Sequence, residues 1–306
     1  MNILFITANR IGDAVLTTGL LDYLLRTHPE ARFTIACGPA AAGLFDPMPR
    51  RDATLVFEKR RFDLHWPGLW ARAARTRWDL AIDLRGSALT YILPARKRLV
   101  MRGGRRTGHR LGHIGAVLGL DPPPLPVTWT APEHEALAAR TLAASGPIIG
   151  LGPTANWDGK VWPAERFVAL FRALAAGPLP GARAAVFAGP GAAERALAAP
   201  VLAALPDAID LAGRLSLPEA AACLARCALF VGNDSGLMHL AAAAGAPTLG
   251  LFGPSMASQY APAGRRTAFA VAPGLEGAAP IAALTAAAAL AAATPLLDVA
   301  QATEAA

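Results

Sequence analysis

Gly232-Asn233-Asp234-Ser235-Gly236-Leu237-Met238-His239 packs an amide, a carboxylate, a hydroxyl and an imidazole between glycines within eight positions. Residues 228–231 before it are strand-like, and residues 237–244 after it are helix-like. A strand–turn–helix junction gathers free backbone N–H groups at the helix N-terminus, where a phosphate can sit. Asp234 or Ser235 can cap the helix or bond a ligand hydroxyl. Gly236 opens the helix, and His239 falls one turn into it. The same residues also suit a capped, well-packed βα unit. Asp13 stands at a second predicted helix start. A carboxylate there can offset the helix dipole or serve as a general base. Lys160 follows Gly159, but the spacing is not G-x-x-x-x-G-K; it reads as a point charge for phosphate or as a solvated lysine. Gly189-Pro190-Gly191-Ala192-Ala193-Glu194 nearly matches a dinucleotide turn, and Glu194 could hold ribose hydroxyls. Asp83 and Arg85 end a predicted strand. Residues 103–110, with Arg106, form a basic loop that is either an anion site or a solvated turn.

The elements that carry these groups alternate. Strands are expected at 3–6, 33–36, 55–57, 80–84 and 99–101, with helices over 14–27 and within 60–77. A Pro-rich run at 121–126 approaches a boundary. The pattern then restarts with strands at 147–151, 184–188, 209–211, 228–231 and 247–252. Helices open near 162 and at 216, where Ser216 and Glu219 suggest a capping box. A terminal helix is expected over 282–293. Two such runs predict an α/β protein of two doubly wound domains with a cleft between them. Ligands in such sheets sit at the carboxyl ends of the strands, where Asp13 and the Asp234 turn fall.

Of the 306 residues, 54% are hydrophobic, enough for two cores. The net charge is +7, unevenly spread. Residues 50–110 hold sixteen Lys/Arg against five Asp/Glu. That basic stretch suits nucleic acid, an anionic membrane surface or a phosphorylated substrate, or simply a solvated Arg-rich face. Without a helix-turn-helix, zinc spacing or aromatic-interleaved ribbon, nucleic acid fits least. Three cysteines give no disulfide framework and Cys223/Cys227 read as core, so no metal site is expected. The Ala-rich tract at 277–297 contains Pro280 and Pro295 and reads as helix and tail, not a span. No signal peptide is expected, and a cytoplasmic location follows.

The chain resembles glycosyltransferase family 9, the heptosyltransferases of lipopolysaccharide core assembly. Three blocks carry the resemblance: residues 1–6 with Ile11-Gly12-Asp13-Ala14-Val15-Leu16-Thr17; Lys160-Val161-Trp162-Pro163 with Arg166-Phe167; and residues 232–241 with Ala246-Pro247-Thr248 and Leu251-Phe252-Gly253-Pro254. Asp83-Leu84-Arg85-Gly86 and Arg106-Thr107-Gly108 add weaker matches. The resemblance implies a GT-B fold, with an acceptor-binding domain at 1–145, a sugar-nucleotide domain at 146–297 and a disordered tail at 298–306. It implies inverting, metal-independent transfer without a cofactor, from a nucleotide sugar such as ADP-heptose to an anionic lipid-linked glycan. Peripheral contact with the cytoplasmic face of the inner membrane goes with that acceptor. Asp13 matches the general base. Thr154, Asn156, Lys160, Glu194, Asp234, Ser235, Gly236 and His239 are the expected donor contacts, and Asp83, Arg85 and Arg106 the acceptor contacts. Gly19 departs from the family, which commonly has proline there, and Glu194 is shifted from the usual ribose-binding acid.

Two other readings compete. A dinucleotide oxidoreductase or epimerase would need a Gly-rich turn after the first strand, but residues 7–13 hold only Gly12. A non-catalytic sugar-nucleotide or envelope-assembly protein could keep the fold; Asp13, Lys160 and Asp234 weigh against it.

Overall fold

Ile3, Leu4, Phe5 and Ile6 are all fully buried and form most of strand β1, Asn2–Ile6. A strand buried on both faces sits inside a parallel sheet. β1 pairs with β2 (Arg32–Cys37) on one side; β3 (Arg51–Val56) follows β2 outward, and β4 (Trp78–Asp83) lies on the other side of β1. With β5 (Ala95–Val100) the order is β3-β2-β1-β4-β5, every pairing parallel. This computed structural model describes residues 1–58, 65–102, 107–143 and 146–304. The chain divides into two units, Met1–Trp129 and Thr130–Ala306.

Helices of the first unit are α1 (Ile11–Thr27), α2 (Pro39–Ala42), α3 (His65–Ala73) and α4 (Arg110–Gly115). α1 begins three residues earlier than the sequence pattern indicated, so Asp13 lies in its first turn. Its far end is closed by Arg50, which has a left-handed backbone (φ 56°). The Arg50 guanidinium donates to the carbonyl of Leu25, which the helix end leaves free, and to those of His28 and Pro29 just beyond it. Gly19 marks a close crossing. A Cβ there would lie 2.5 Å from the carbonyl oxygens of both Pro124 and Leu125. The Pro-rich run therefore passes over α1, and Val127 N–H donates to Thr18 Oγ1 at 2.9 Å.

The second unit contains β6 (Ile148–Gly152), β7 (Arg183–Val186), β8 (Ile209–Asp210), β9 (Leu229–Asn233), β10 (Thr248–Phe252) and β11 (Thr267–Val271). Their order is β11-β10-β9-β6-β7-β8, again all parallel. Its helices are α5 (Pro132–Thr141), α6 (Ala164–Ala176), α7 (Ala192–Ala204), α8 (Leu217–Ala225), α9 (Gly236–Ala243), α10 (Ala257–Tyr260) and α11 (Ala286–Glu304). Trp162 is fully buried, meets Phe167 edge-on at 5.0 Å between centroids and donates its indole N–H to Leu284 O at 2.9 Å. Ser216 and Glu219 do meet at the start of α8, with the Glu219 carboxylate accepting from Ser216 N–H at 2.7 Å.

β5 extends four residues before the expected 99–101, through Ala95-Arg96-Lys97-Arg98, and β11 was not anticipated. Both are edge strands; at β5 one side faces water and an apolar run is not required. α11 runs through 298–304, the stretch assigned to a tail; residues 305–306 lie outside the described residues. No described helix is long and apolar enough to cross a membrane.

Candidate active site

In the first unit the chain moves outward from β1 to β2 and β3, then returns to place β4 on β1's other side. The carboxyl ends of β1 and β4 are thus a topological switch point, where the two outgoing loops diverge and leave a crevice. A cavity of about 240 Å³ lies there, lined by Thr7, Asp13, Thr17, Arg85 and Arg110 among others. Thr7 and Thr17 hydroxyls sit 2.9 Å apart, and Thr17 donates to Ala14 O at 2.7 Å. These bonds pin the loop after β1 to α1, whose first turn carries Asp13. Asp13 is half-buried, and its carboxylate has no hydrogen bond or ion pair among the described residues. The cavity thus pairs an uncommitted carboxylate with two guanidiniums. That combination suits an anionic ligand with a hydroxyl to deprotonate.

Asp83 requires a correction. It was expected to contact an acceptor, but it is fully buried. Its Oδ1 accepts from the N–H groups of Arg85 (2.8 Å) and Gly86 (3.1 Å). Its Oδ2 accepts from Ser87 N–H (2.9 Å), Ser87 Oγ (2.5 Å) and Thr90 Oγ1 (2.7 Å). Five donors saturate the carboxylate, so Asp83 shapes the loop that presents Arg85 and has no lone pair left for a ligand. Arg106 lies outside the described residues. Arg110, four positions on in the same basic loop, opens α4 and lines the cavity. The sequence marked the loop; it gave no sign which arginine would face inward.

In the second unit the chain reverses direction between β8 and β9, so the carboxyl ends of β6 and β9 form the equivalent switch point. Gly152 and Gly232 pair there, and a Cβ on either would strike the Phe230 ring at 2.7 Å. The loop after β6 ends in a 3-10 turn, Asp158–Lys160. Asn233 Oδ1 accepts from Trp162 N–H at 3.1 Å and ties that loop to β9. Lys160 Nζ then lies 2.5 Å from Asp234 Oδ2, with only 8% of the Asp234 side chain exposed and 23% of Lys160. Next comes Ser235 at the start of α9. Among the described residues its buried hydroxyl has no hydrogen-bond partner, and neither has Asn233 Nδ2. Buried polar atoms are normally satisfied, so an unpartnered hydroxyl at a helix N-terminus beside a lysine marks a place for an oxygen-rich ligand. The sequence motif assigns Asn233 no role of its own; its function as a tie depends on a residue 71 positions away.

The other expected donor contacts lie on three segments: the loop after β6, α9 and α7. Thr154 is buried and Asn156 exposed on the loop after β6. Gly236 opens α9, and His239 is buried one turn further on. Glu194 lies in the first turn of α7, the helix that follows β7, one strand from the switch point, and its Oε2 accepts from Gly189 N–H at 3.1 Å. Part of its carboxylate therefore closes its own glycine turn. Among the described residues, no three His, Cys, Asp or Glu side chains are grouped to hold a metal ion.

A sequence profile described as Glycosyltransferase family 9 (heptosyltransferase) matches residues 115–279, over half of the chain and all of the Lys160–Asp234 site. The chain belongs to glycosyltransferase family 9. As a member of that family it is a glycosyltransferase. Lipooligosaccharide heptosyltransferase 2 of Haemophilus influenzae is 26% identical over 86% of each chain. The family 9 glycosyl transferase from Veillonella parvula superposes with a TM-score of 0.82, at 22% identity, over 97% of each chain. The E. coli ADP-heptose lps heptosyltransferase II gives 0.78, also at 22% identity, over 98% of this chain and 100% of its own. The fold is therefore GT-B, with Rossmann-like units that each present a switch point.

Proposed function

We propose that this family 9 enzyme transfers heptose, with inversion and without a metal ion, from ADP-heptose to a hydroxyl of an anionic lipid-linked core glycan. The observation that carries the reading is the Lys160–Asp234 pair at the N-terminus of α9, beside the unpartnered Ser235 hydroxyl. The names of the relatives from H. influenzae and E. coli support the sugar and the nucleotide.

The second unit binds the donor. Lys160 has three donors on its ammonium, so it can keep Asp234 and still bond the diphosphate. The free N–H groups of α9 and the Ser235 hydroxyl share that charge, which grows as the nucleotide leaves. Lys160 and these dipoles take the place that a divalent cation has in other transferases. The first unit binds the acceptor: Arg85 and Arg110 hold its anionic group, and Asp13 removes the proton from the attacking hydroxyl. That oxygen bonds to the anomeric carbon from the face opposite the diphosphate. The carbon–phosphate oxygen bond breaks, ADP departs, and the proton stays on Asp13. A single displacement with one base inverts the anomeric centre. The basic stretch of the first unit suits a cytoplasmic membrane face where such acceptors lie.

Asp13→Asn should keep ADP affinity and lose turnover by roughly 10²–10⁴-fold, the range of general-base contributions. Near-normal turnover would remove Asp13 as base. Activity that survives chelation with EDTA is expected, and activity restored only by added magnesium would overturn metal independence.

A further inference from the structure

Trp70, Tyr91 and Ile92 are large apolar side chains that are 40%, 65% and 67% exposed. They are also neighbours, since the Trp70 indole N–H donates to the Ile92 carbonyl at 3.3 Å. α3 supplies Trp70, and a 3-10 turn, Ala88–Ile92, supplies the other two. This turn is firmly held. Leu89, Thr90 and Leu93 are buried beneath it. Thr90 Oγ1 donates to Asp83, and Arg98 donates to Thr90 O at 3.0 Å and Leu93 O at 2.6 Å. Tyr91 and Ile92 are thus held outward by bonds on both sides of them. The apolar tip is part of the built structure.

Its surroundings are predominantly basic, with half-buried Asp79 of β4 beside Arg96 in the β4–β5 register as an exception. Residues 65–77 include three arginines and no acid; residues 84–102 include four arginines, one lysine and no acid. Arg96 and Lys97 are exposed on the edge strand β5 beside the turn. Trp and Tyr settle at the headgroup level of a bilayer because their rings are apolar with a polar tip. On such a surface an exposed isoleucine can enter the acyl boundary while cations pair with anionic headgroups.

We propose that Trp70, Tyr91 and Ile92, with Arg96 and Lys97, dock the first unit on an anionic phospholipid bilayer. This gives a named surface to the membrane contact of the acceptor reading above, and to that extent rests on it.

The test is co-sedimentation of the full chain with vesicles, without donor or acceptor. Vesicles of phosphatidylcholine alone are compared with vesicles that also contain phosphatidylglycerol. Binding is expected to the anionic vesicles only and to weaken with salt. Tyr91→Ser/Ile92→Ser should lower the partition coefficient by roughly tenfold or more, from the apolar area no longer buried. Arg96→Gln/Lys97→Gln should lower it by roughly fivefold per charge. All four positions are exposed, and unchanged circular dichroism and melting would show that the variants fold. Equal binding to both vesicle types, or partition unchanged in Tyr91→Ser/Ile92→Ser, overturns the proposal. So does a variant that alters only self-association, which would make a second copy the occupant. Turnover of a lipid-free acceptor is expected to be unaffected by Tyr91→Ser/Ile92→Ser. If the wild type binds vesicles as described yet turns over no heptosyl donor, the functional reading fails and this one stands.

Discussion

Asp83 and Asp13 are both carboxylates at the mouth of the first sheet, and their partners separate their roles. Asp83 is saturated by five donors; Asp13 has none among the described residues. Asp83→Ala leaves several donors buried and unpaired, so urea unfolding should show a loss of about 3 kcal/mol or more. Asp13→Ala, half-exposed and unpartnered, should change stability by less than about 1 kcal/mol. Equal losses would reverse the assignment. At the proposed donor site, Lys160→Met would remove a charge-assisted bond worth about 1.5–3 kcal/mol, so titration calorimetry should show ADP affinity falling tenfold or more. The three thiols illustrate burial alone. Cys37 is pushed up to about 12 and Cys223 to about 11, each chiefly by desolvation, and Cys227 is raised for the same reason. All three should resist alkylation at pH 8 until the chain is unfolded.

At the scale of the element, α1 is constrained at both ends and in its middle. Alanine favours a helix over glycine by about 1 kcal/mol. Gly19→Ala should nonetheless destabilise, because its Cβ would strike two backbone carbonyls and overpacking costs about 1–3 kcal/mol. A raised melting temperature would show that the Pro-rich run can move aside. The end of β8 offers a pH-dependent test. Asp210 sits between Arg195 and Arg214, and the hydrogen bond from Arg195 leads in holding its carboxyl below the usual range. Its folded pKa lies below its unfolded one, so its stabilisation is present above about pH 4 and is lost as pH falls through the folded value. Asp210→Asn should flatten the acid limb of a stability–pH curve and leave its neutral and alkaline limbs parallel to wild type.

For the whole molecule, the proposed division of labour between units predicts where ligands act. ADP at 100 times its dissociation constant should add about 2.7 kcal/mol to stability. Hydrogen exchange should place the new protection at amides of residues 153–160 and 233–239. Protection confined to residues 7–17 would assign the nucleotide to the wrong unit.

The alternating strands and helices, Asp13 at a helix start and the Gly232–Ser235 turn were all legible in the sequence. Local apolar runs and turn residues fix such features over a few positions. The edge strand β5 was read short because an edge needs no apolar run and its first half is Ala-Arg-Lys-Arg; β11, Thr-Ala-Phe-Ala-Val, was missed although its residues are largely apolar. Which of several similar side chains faces a cavity is a different kind of fact. Asp83 against Asp13, Arg110 within its basic loop, Asn233 as a tie to Trp162 and Gly19 beneath Pro124 all depend on residues far away in the chain. Their roles were decided by tertiary structure, because burial and hydrogen-bond saturation exist only once distant segments have been packed together.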